Sequence, residues 1–263
     1  MAISKAAKEI FKQQVEQHKN IIQQIDKEIL SLKDSLADEE TNKYEVFLKV
    51  VDKELTIASY YIVMNSLSVQ LLGLKNDTYL NEARKSTLRA VLYGERIASD
   101  VKSGPFKDYE ENLISIQYIN PKDRWSMIRK YGFTIDSIKE AYGKKSRFAD
   151  FIVELEARFY VIAKNLIDFR RWNIFDPTTP YYHEMRKIID ITAAGLNETA
   201  EKYRYFYEQS RIKEDFQRAY GQLGALARLY SYSSQNDKYE DVKTKMKVWK
   251  KIFNEYEGKK VEA

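Results

Sequence analysis

The chain has 263 residues, enough for one large domain or two smaller ones without covalent staples. It has no cysteine, which excludes disulfides and thiolate metal sites, and its nine glycines and four prolines argue against a β-rich or loop-rich fold. Its 44 basic and 39 acidic residues leave a net +5, a small excess that reads first as solvated helix faces and does not by itself imply a polyanionic partner.

The pattern predicts an all-α protein. Long antiparallel helical hairpins pack as an elongated bundle, with a middle segment of short helices. The first helix is expected from about Ser4 to Leu36, with the seam Phe11, Val15, His18, Ile22, Ile25, Ile29, Leu32, Leu36 stepping alternately by four and three. The polar stretch from Ala37 to Asn42 interrupts it. A second seam follows: Tyr44, Leu48, Val51, Leu55, Ala58, Ile62, Asn65, Val69, Leu72. Two seams joined by a short polar segment predict a hairpin, the alternative being one continuous helix. A turn near Thr41 would set His18 against Asn65 as a buried polar pair.

Gly73 to Thr78 reads as a stop and a cap, and a third helix runs to about Val101. Ser103-Gly104-Pro105 ends it. Short helices are expected over Tyr109–Ile119, from Pro121 under an Asn120 cap to Gly132, and from Thr134 to Gly143. A long helix then opens at Ser146 and carries Phe148, Ile152, Leu155, Phe159, Ile162, Leu166 and Phe169 to a stop at Asp176-Pro177. Thr179-Pro180 reads as the cap and first position of the next helix, which continues or kinks near Ser210. After the loop Ser233 to Asn236 the last helix carries Tyr239, Val242, Met246, Trp249, Phe253 and Tyr256, and ends at Gly258. The expected division is 1–103, a connector 104–145, and 146–263, with the outer two either separate or one continuous domain.

No catalytic or metal constellation emerges. The two histidines have Val15 and Pro180 three positions before them, so the spacings that put two ligands on one helix face are missing. No cofactor, metal or catalytic residue is expected. Lys144, Lys145 and Ser146 offer an anion pocket at a helix N-terminus, or simply a serine-capped connector. Basic and aromatic residues interleave at Arg124 with Arg129 and Lys130, at Arg170-Arg171-Trp172, and at Lys243, Lys247 and Lys250 around Trp249. Such mixtures suit phosphate contact with base stacking.

The block Tyr203, Tyr205, Phe206, Tyr207 puts aromatic rings on every side of one helical turn, which cannot all be exposed cheaply. With 20 tyrosines in the chain, a residue enriched at interfaces, this block is the leading interaction candidate. The expected function is a non-catalytic helical scaffold or assembly protein with a protein partner or self-association. Nucleic-acid binding is the alternative, and a BAR-like module on anionic membranes comes third. Charges at Lys5, Lys8 and Glu9 and the lack of an apolar run near 18 residues lead us to expect a soluble, cytoplasmic protein without membrane insertion.

Overall fold

The structure, a computed structural model, describes residues 4–104, 106–143, 146–170 and 174–261. Among these residues all regular structure is helical. The helices are α1 (Lys5–Asp34), α2 (Lys43–Leu72), α3 (Asp77–Ala98), α4 (Phe106–Ile116), α5 (Pro121–Tyr142), α6 (Ala149–Asn165), α7 (Tyr182–Ser210), α8 (Lys213–Tyr232) and α9 (Asn236–Val261). The chain forms two compact units, Met1–Ile97 with Ser126–Leu155, and Ala98–Trp125 with Glu156–Ala263. This division is discontinuous in sequence and differs from the three consecutive segments expected. The stretch 104–145 is not a separate connector, since its residues belong to both units.

In the first unit, α1 starts where Ser4 accepts a hydrogen bond from the Ala7 amide at 3.1 Å. A 3₁₀ turn at Ser35–Ala37 ends the run, and the Asn42 side chain caps α2 by accepting from the Tyr44 amide at 3.1 Å. The two helices therefore form a hairpin rather than one continuous helix. Val15, Ile22 and Ile29 of α1 interlock with Val46, Val50, Ile57 and Met64 of α2, with Phe11, Ile25, Leu32 and Leu36 at the edges. The α1 seam is the one predicted.

The α2 seam is not. Ala58 and Ile62 pack instead with Leu80 and Ala83 of α3, Ile138 and Tyr142 of α5, and Ile152 of α6. Helix α2 is covered on two sides, so it carries two apolar stripes, and a single heptad reading selects the wrong one for α1. The same apolar excess makes α2 long and apolar enough to cross a membrane by length and composition, with a mean hydropathy of 1.3 over its best window. Here Val50, Val51, Leu55 and Ala58 are core.

The His18–Asn65 pair is corrected for the same reason. Asn65 lies off the α1-facing stripe, and its Oδ1 accepts from the Asn76 amide at 2.8 Å, tying down the turn into α3. The His18 ring lies 5.4 Å from Tyr60, and its buried Nδ1 has no hydrogen-bond partner among the described residues. Helix α5 runs unbroken through Gly132 and Thr134, where two short helices were expected. One glycine costs a helix only about 1 kcal/mol, and buried Tyr131, Ile135 and Ile138 outweigh it. The Thr134 hydroxyl donates back to the Lys130 carbonyl at 2.8 Å instead of capping a new helix.

In the second unit, α6 ends at Asn165, about ten residues before the expected stop at Asp176. Side chains from elsewhere take the carbonyls at its end: Asn112 donates to the Asn165 carbonyl and Arg124 to that of Leu166, at 2.8 and 2.7 Å. Helix α7 begins after Tyr181, in the left-handed region at φ +64°, two residues past the expected Thr179 cap. It closes at Arg211, again left-handed, and α8 and α9 follow in sequence against their neighbours. Met185, Ile188, Leu196 and Tyr203 of α7, Phe216, Leu223 and Leu226 of α8, and Val242, Met246 and Trp249 of α9 are buried. The Tyr160 ring of α6 lies against Gly195, where a Cβ would fall 2.1 Å from its Cζ. Helix α9 continues past Gly258, the expected stop, to Val261.

Candidate interaction site

The residues expected to contact nucleic acid do not form one face. Arg124 is fully buried and is withdrawn as a phosphate contact. Its guanidinium donates to the carbonyls of Ile119, Leu166 and Ile116, each at 2.7 Å, and so closes the ends of α4 and α6. Lys130, in the first unit, donates to the Asp52 and Thr56 side chains and to the Asp52 carbonyl, which fixes α5 to α2. Arg129 is exposed and is engaged by a partner. Arg170 pairs with Glu110 at 2.8 Å. Arg171 and Trp172 lie outside the described residues.

Lys243, Lys247 and Lys250 do share one face of α9, at i, i+4 and i+7. Lys245, on the other side of α9, is held by Asn197 and Glu201. Of the anion candidates, Lys144 and Lys145 lie outside the described residues. Ser146 Oγ accepts from the Phe148 amide at 3.1 Å, as an ordinary cap does.

The aromatic block is divided by depth. Tyr203 and Tyr207 are buried, Phe206 is half-buried between Tyr203 and Tyr205, and Tyr205 stands in solvent. Tyr207 is the pivot: its ring lies 5.5 Å from both Phe216 of α8 and Phe253 of α9. Those two stack on each other at 4.1 Å and 12°. Burial pushes the Tyr207 phenol above its ordinary pKa, and the nearby Glu257 carboxylate adds to the shift.

Beside this stack the C-terminal end of α7 and the first turn of α8 leave a cleft against α9. It measures about 330 Å³ and is lined by Tyr207, Phe216, Trp249, Phe253 and Tyr256, with Arg204 and Arg211 among the polar groups. On α9 its outer wall continues as Val248, Ile252 and Tyr256, spaced i, i+4, i+8, at 51, 37 and 47 % exposure. Ile252 and Tyr256 line the cleft themselves. This stripe lies next to the buried row Val242, Met246, Trp249, so α9 carries more apolar surface than its own unit covers.

Two further features were not anticipated. A wider groove of about 450 Å³ runs between α7, α8 and α9 from Ile189 to Lys245, with Asp190, Asp241 and Lys238 along it. Deeper in the second unit, Lys164 of α6 is buried and donates to the Val101 carbonyl at 3.2 Å. Burial, and then the neighbouring Arg228 charge, lower its pKa to about 8. Only a space of about 20 Å³ adjoins it, room for roughly one water. Lys164 sits at the end of an apolar helix with nothing in the local sequence to distinguish it from a snorkelling lysine.

Among the described residues no group of three or more His, Asp or Glu side chains could hold a metal ion. No curated protein matches the chain, and no solved structure does. A family model matches residues 7–256, nearly the whole chain, and on that match the protein belongs to the TP0443 family.

Proposed function

We propose that this protein is a non-catalytic helical scaffold or assembly factor of the cytoplasm, and that it docks a protein partner on the cleft between the end of α7, the start of α8, and α9. The observation that carries the reading is the Val248, Ile252, Tyr256 stripe, left exposed beside an aromatic cleft. Isolated exposed apolar residues are normal on a protein surface, but a contiguous apolar stripe with an aromatic pocket behind it is how docking sites are built. Native purification with light scattering tests it. The wild-type chain carries a partner or self-associates, and Ile252→Asp loses that association with helix content unchanged. A strict monomer without a co-purifying protein, indistinguishable from Ile252→Asp, would overturn it.

Nucleic-acid binding is the second reading, now resting on the Lys243, Lys247, Lys250 face alone. Its signature is affinity for a mixed-sequence oligonucleotide that falls steeply with salt and is lost when the three lysines become glutamine.

A further inference from the structure

We infer that the cleft takes a segment of a partner protein that presents a carboxylate to Arg211 with apolar side chains beside it. This rests on the docking reading above and names the partner's chemistry. Arg211 is the residue on which the cleft turns. It closes α7 in the left-handed conformation, φ +59° and ψ 23°, with its amide on the Tyr207 carbonyl at 2.8 Å. That position ordinarily suits glycine or asparagine. An arginine there carries its side chain over two rings, 4.5 Å from the centroid of Tyr256 and 5.6 Å from that of Tyr207. The guanidinium is thus held against two aromatic rings, part exposed, in the lining of the cleft.

Its cationic neighbours are paired with carboxylates, whereas Arg211 has beside it the Tyr207 phenol, a neutral group. Arg204 pairs with Glu208 at 2.9 Å, Lys213 pairs with Glu257, and Arg218 pairs with Asp215 at 3.6 Å. Among the described residues no carboxylate pairs with Arg211, and its Nη1 is buried without a hydrogen-bond acceptor. A buried cationic donor left unmet is costly, and a planar fork accepts a carboxylate in the geometry that satisfies it best. The charge the cleft lacks is therefore a single negative one, and the surface around it is apolar: Ile252, Tyr256 and, on the same stripe, Val248.

The same facts argue against a nucleic acid here. A phosphate backbone repeats its charge, whereas Arg204 at the cleft and Lys213 and Arg218 on the adjoining turn are already paired with carboxylates that would repel it. Several ring faces are also occupied: Phe216 and Phe253 stack on each other, Arg204 lies over Trp249 at 4.9 Å, and Arg211 lies over Tyr256, which leaves less ring surface for bases.

A displayed library of random short peptides, panned on the full chain and on Arg211→Gln and Ile252→Asp chains of matching circular dichroism, tests the inference. We expect the wild-type chain to enrich peptides with an aspartate or glutamate flanked by apolar residues. The best of them, labelled for fluorescence anisotropy, should bind Arg211→Gln about ten- to a hundredfold more weakly, the loss expected for one charge-assisted pair. Its amide counterpart should bind both chains alike. Arg211→Lys, which keeps the charge without the fork, should recover part of the affinity and serves if the glutamine variant does not fold.

Peptides that depend on Ile252 but carry no acid and ignore Arg211 would overturn the carboxylate while leaving the docking site standing. No peptide sensitive to either substitution would overturn both. A uridine oligomer whose binding depends on Arg211 would overturn the inference in favour of a phosphate ligand. A concentration-dependent dimer abolished by Ile252→Asp would overturn it in favour of a second copy of this chain.

Discussion

The α1–α2 hairpin and the α7–α9 end of the chain use similar materials to different ends. In the hairpin, apolar residues recur at seven-residue spacing and each finds its partner across a short turn; Val15, Ile22, Ile29, Val50, Ile57 and Met64 are all core. The apolar residues α1 leaves outside, Ile10, Ile21 and Leu30, stand well over one helical turn apart. At the α7–α9 end apolar surface exceeds what the unit covers, and the surplus forms the Val248, Ile252, Tyr256 stripe along α9 beside Arg211, which pairs with no carboxylate among the described residues. The α1 seam is closed against α2 and the second stripe of α2 is covered by α3, α5 and α6, while the α9 stripe stays exposed, and that contrast locates the docking reading. The two regions also differ in how their units are secured. The hairpin relies on apolar interlock between sequence neighbours. The second unit closes its helix ends with long polar side chains reaching carbonyls far away in sequence.

Substitutions on the two sides test this contrast. The largest effect should come from Arg124→Met, which strips donors from three buried carbonyls; we expect a loss of about 4 kcal/mol or more by urea unfolding. A loss below about 1 kcal/mol would mean that these carbonyls find other donors. On the hairpin side, Ile22→Ala should cost about 3 kcal/mol through lost burial and the cavity left behind. A loss of a few tenths in thermal or urea unfolding would show the seam to be loosely packed.

Lys164→Met should act in the opposite direction. The folded-state pKa of Lys164 is lowered to about 8 from 10.5. Between those values the unfolded chain holds the proton more tightly, so the stability cost is complete below pH 8 and is relieved as the pH rises to 10.5. The variant should gain about 2 kcal/mol over wild type at pH 7, with the gain shrinking across that window. The Val101 carbonyl keeps the Asn165 amide as a donor at 3.2 Å, so it is not stranded. A pH-independent difference would contradict the burial account. The smallest change is expected for His18→Leu, which extends the α1 seam over an unmet ring nitrogen and should gain about 0.5–1 kcal/mol. A clear loss in chemical denaturation would show that the imidazole has a structural role.

These effects track what the sequence could and could not show. The helical class, the α1 seam, the hairpin and most helix boundaries were legible because they depend on local periodicity, capping residues and the scarcity of breakers. The partner face of α2 was not, because a helix packed on two sides presents two stripes and the sequence does not say which neighbour takes which. Gly132 and Gly258 misled because a single glycine lowers helix stability without ending a helix. Arg124 read as a surface cation because its partners are carbonyls, which leave no trace in residue type. At the candidate site, the block from Tyr203 to Tyr207 pointed to the end of α7, where Tyr207 lines the cleft, but not to the exposed stripe on α9. Arg211 did not announce itself, since its significance lies in a left-handed backbone and in the carboxylates that pair with its neighbours but not with it.

The claim that the α9 stripe is a docking surface is tested most directly by site-specific photo-crosslinking in cells. A benzophenone amino acid would replace Ile252 on the stripe and, in a second chain, Leu30 on the hairpin, both exposed apolar positions. A discrete protein adduct is expected from position 252, abolished when Tyr256→Asp is added, and none from position 30. Equal labelling from the two positions, or none from 252 in cells where the protein is at its native level, would contradict it.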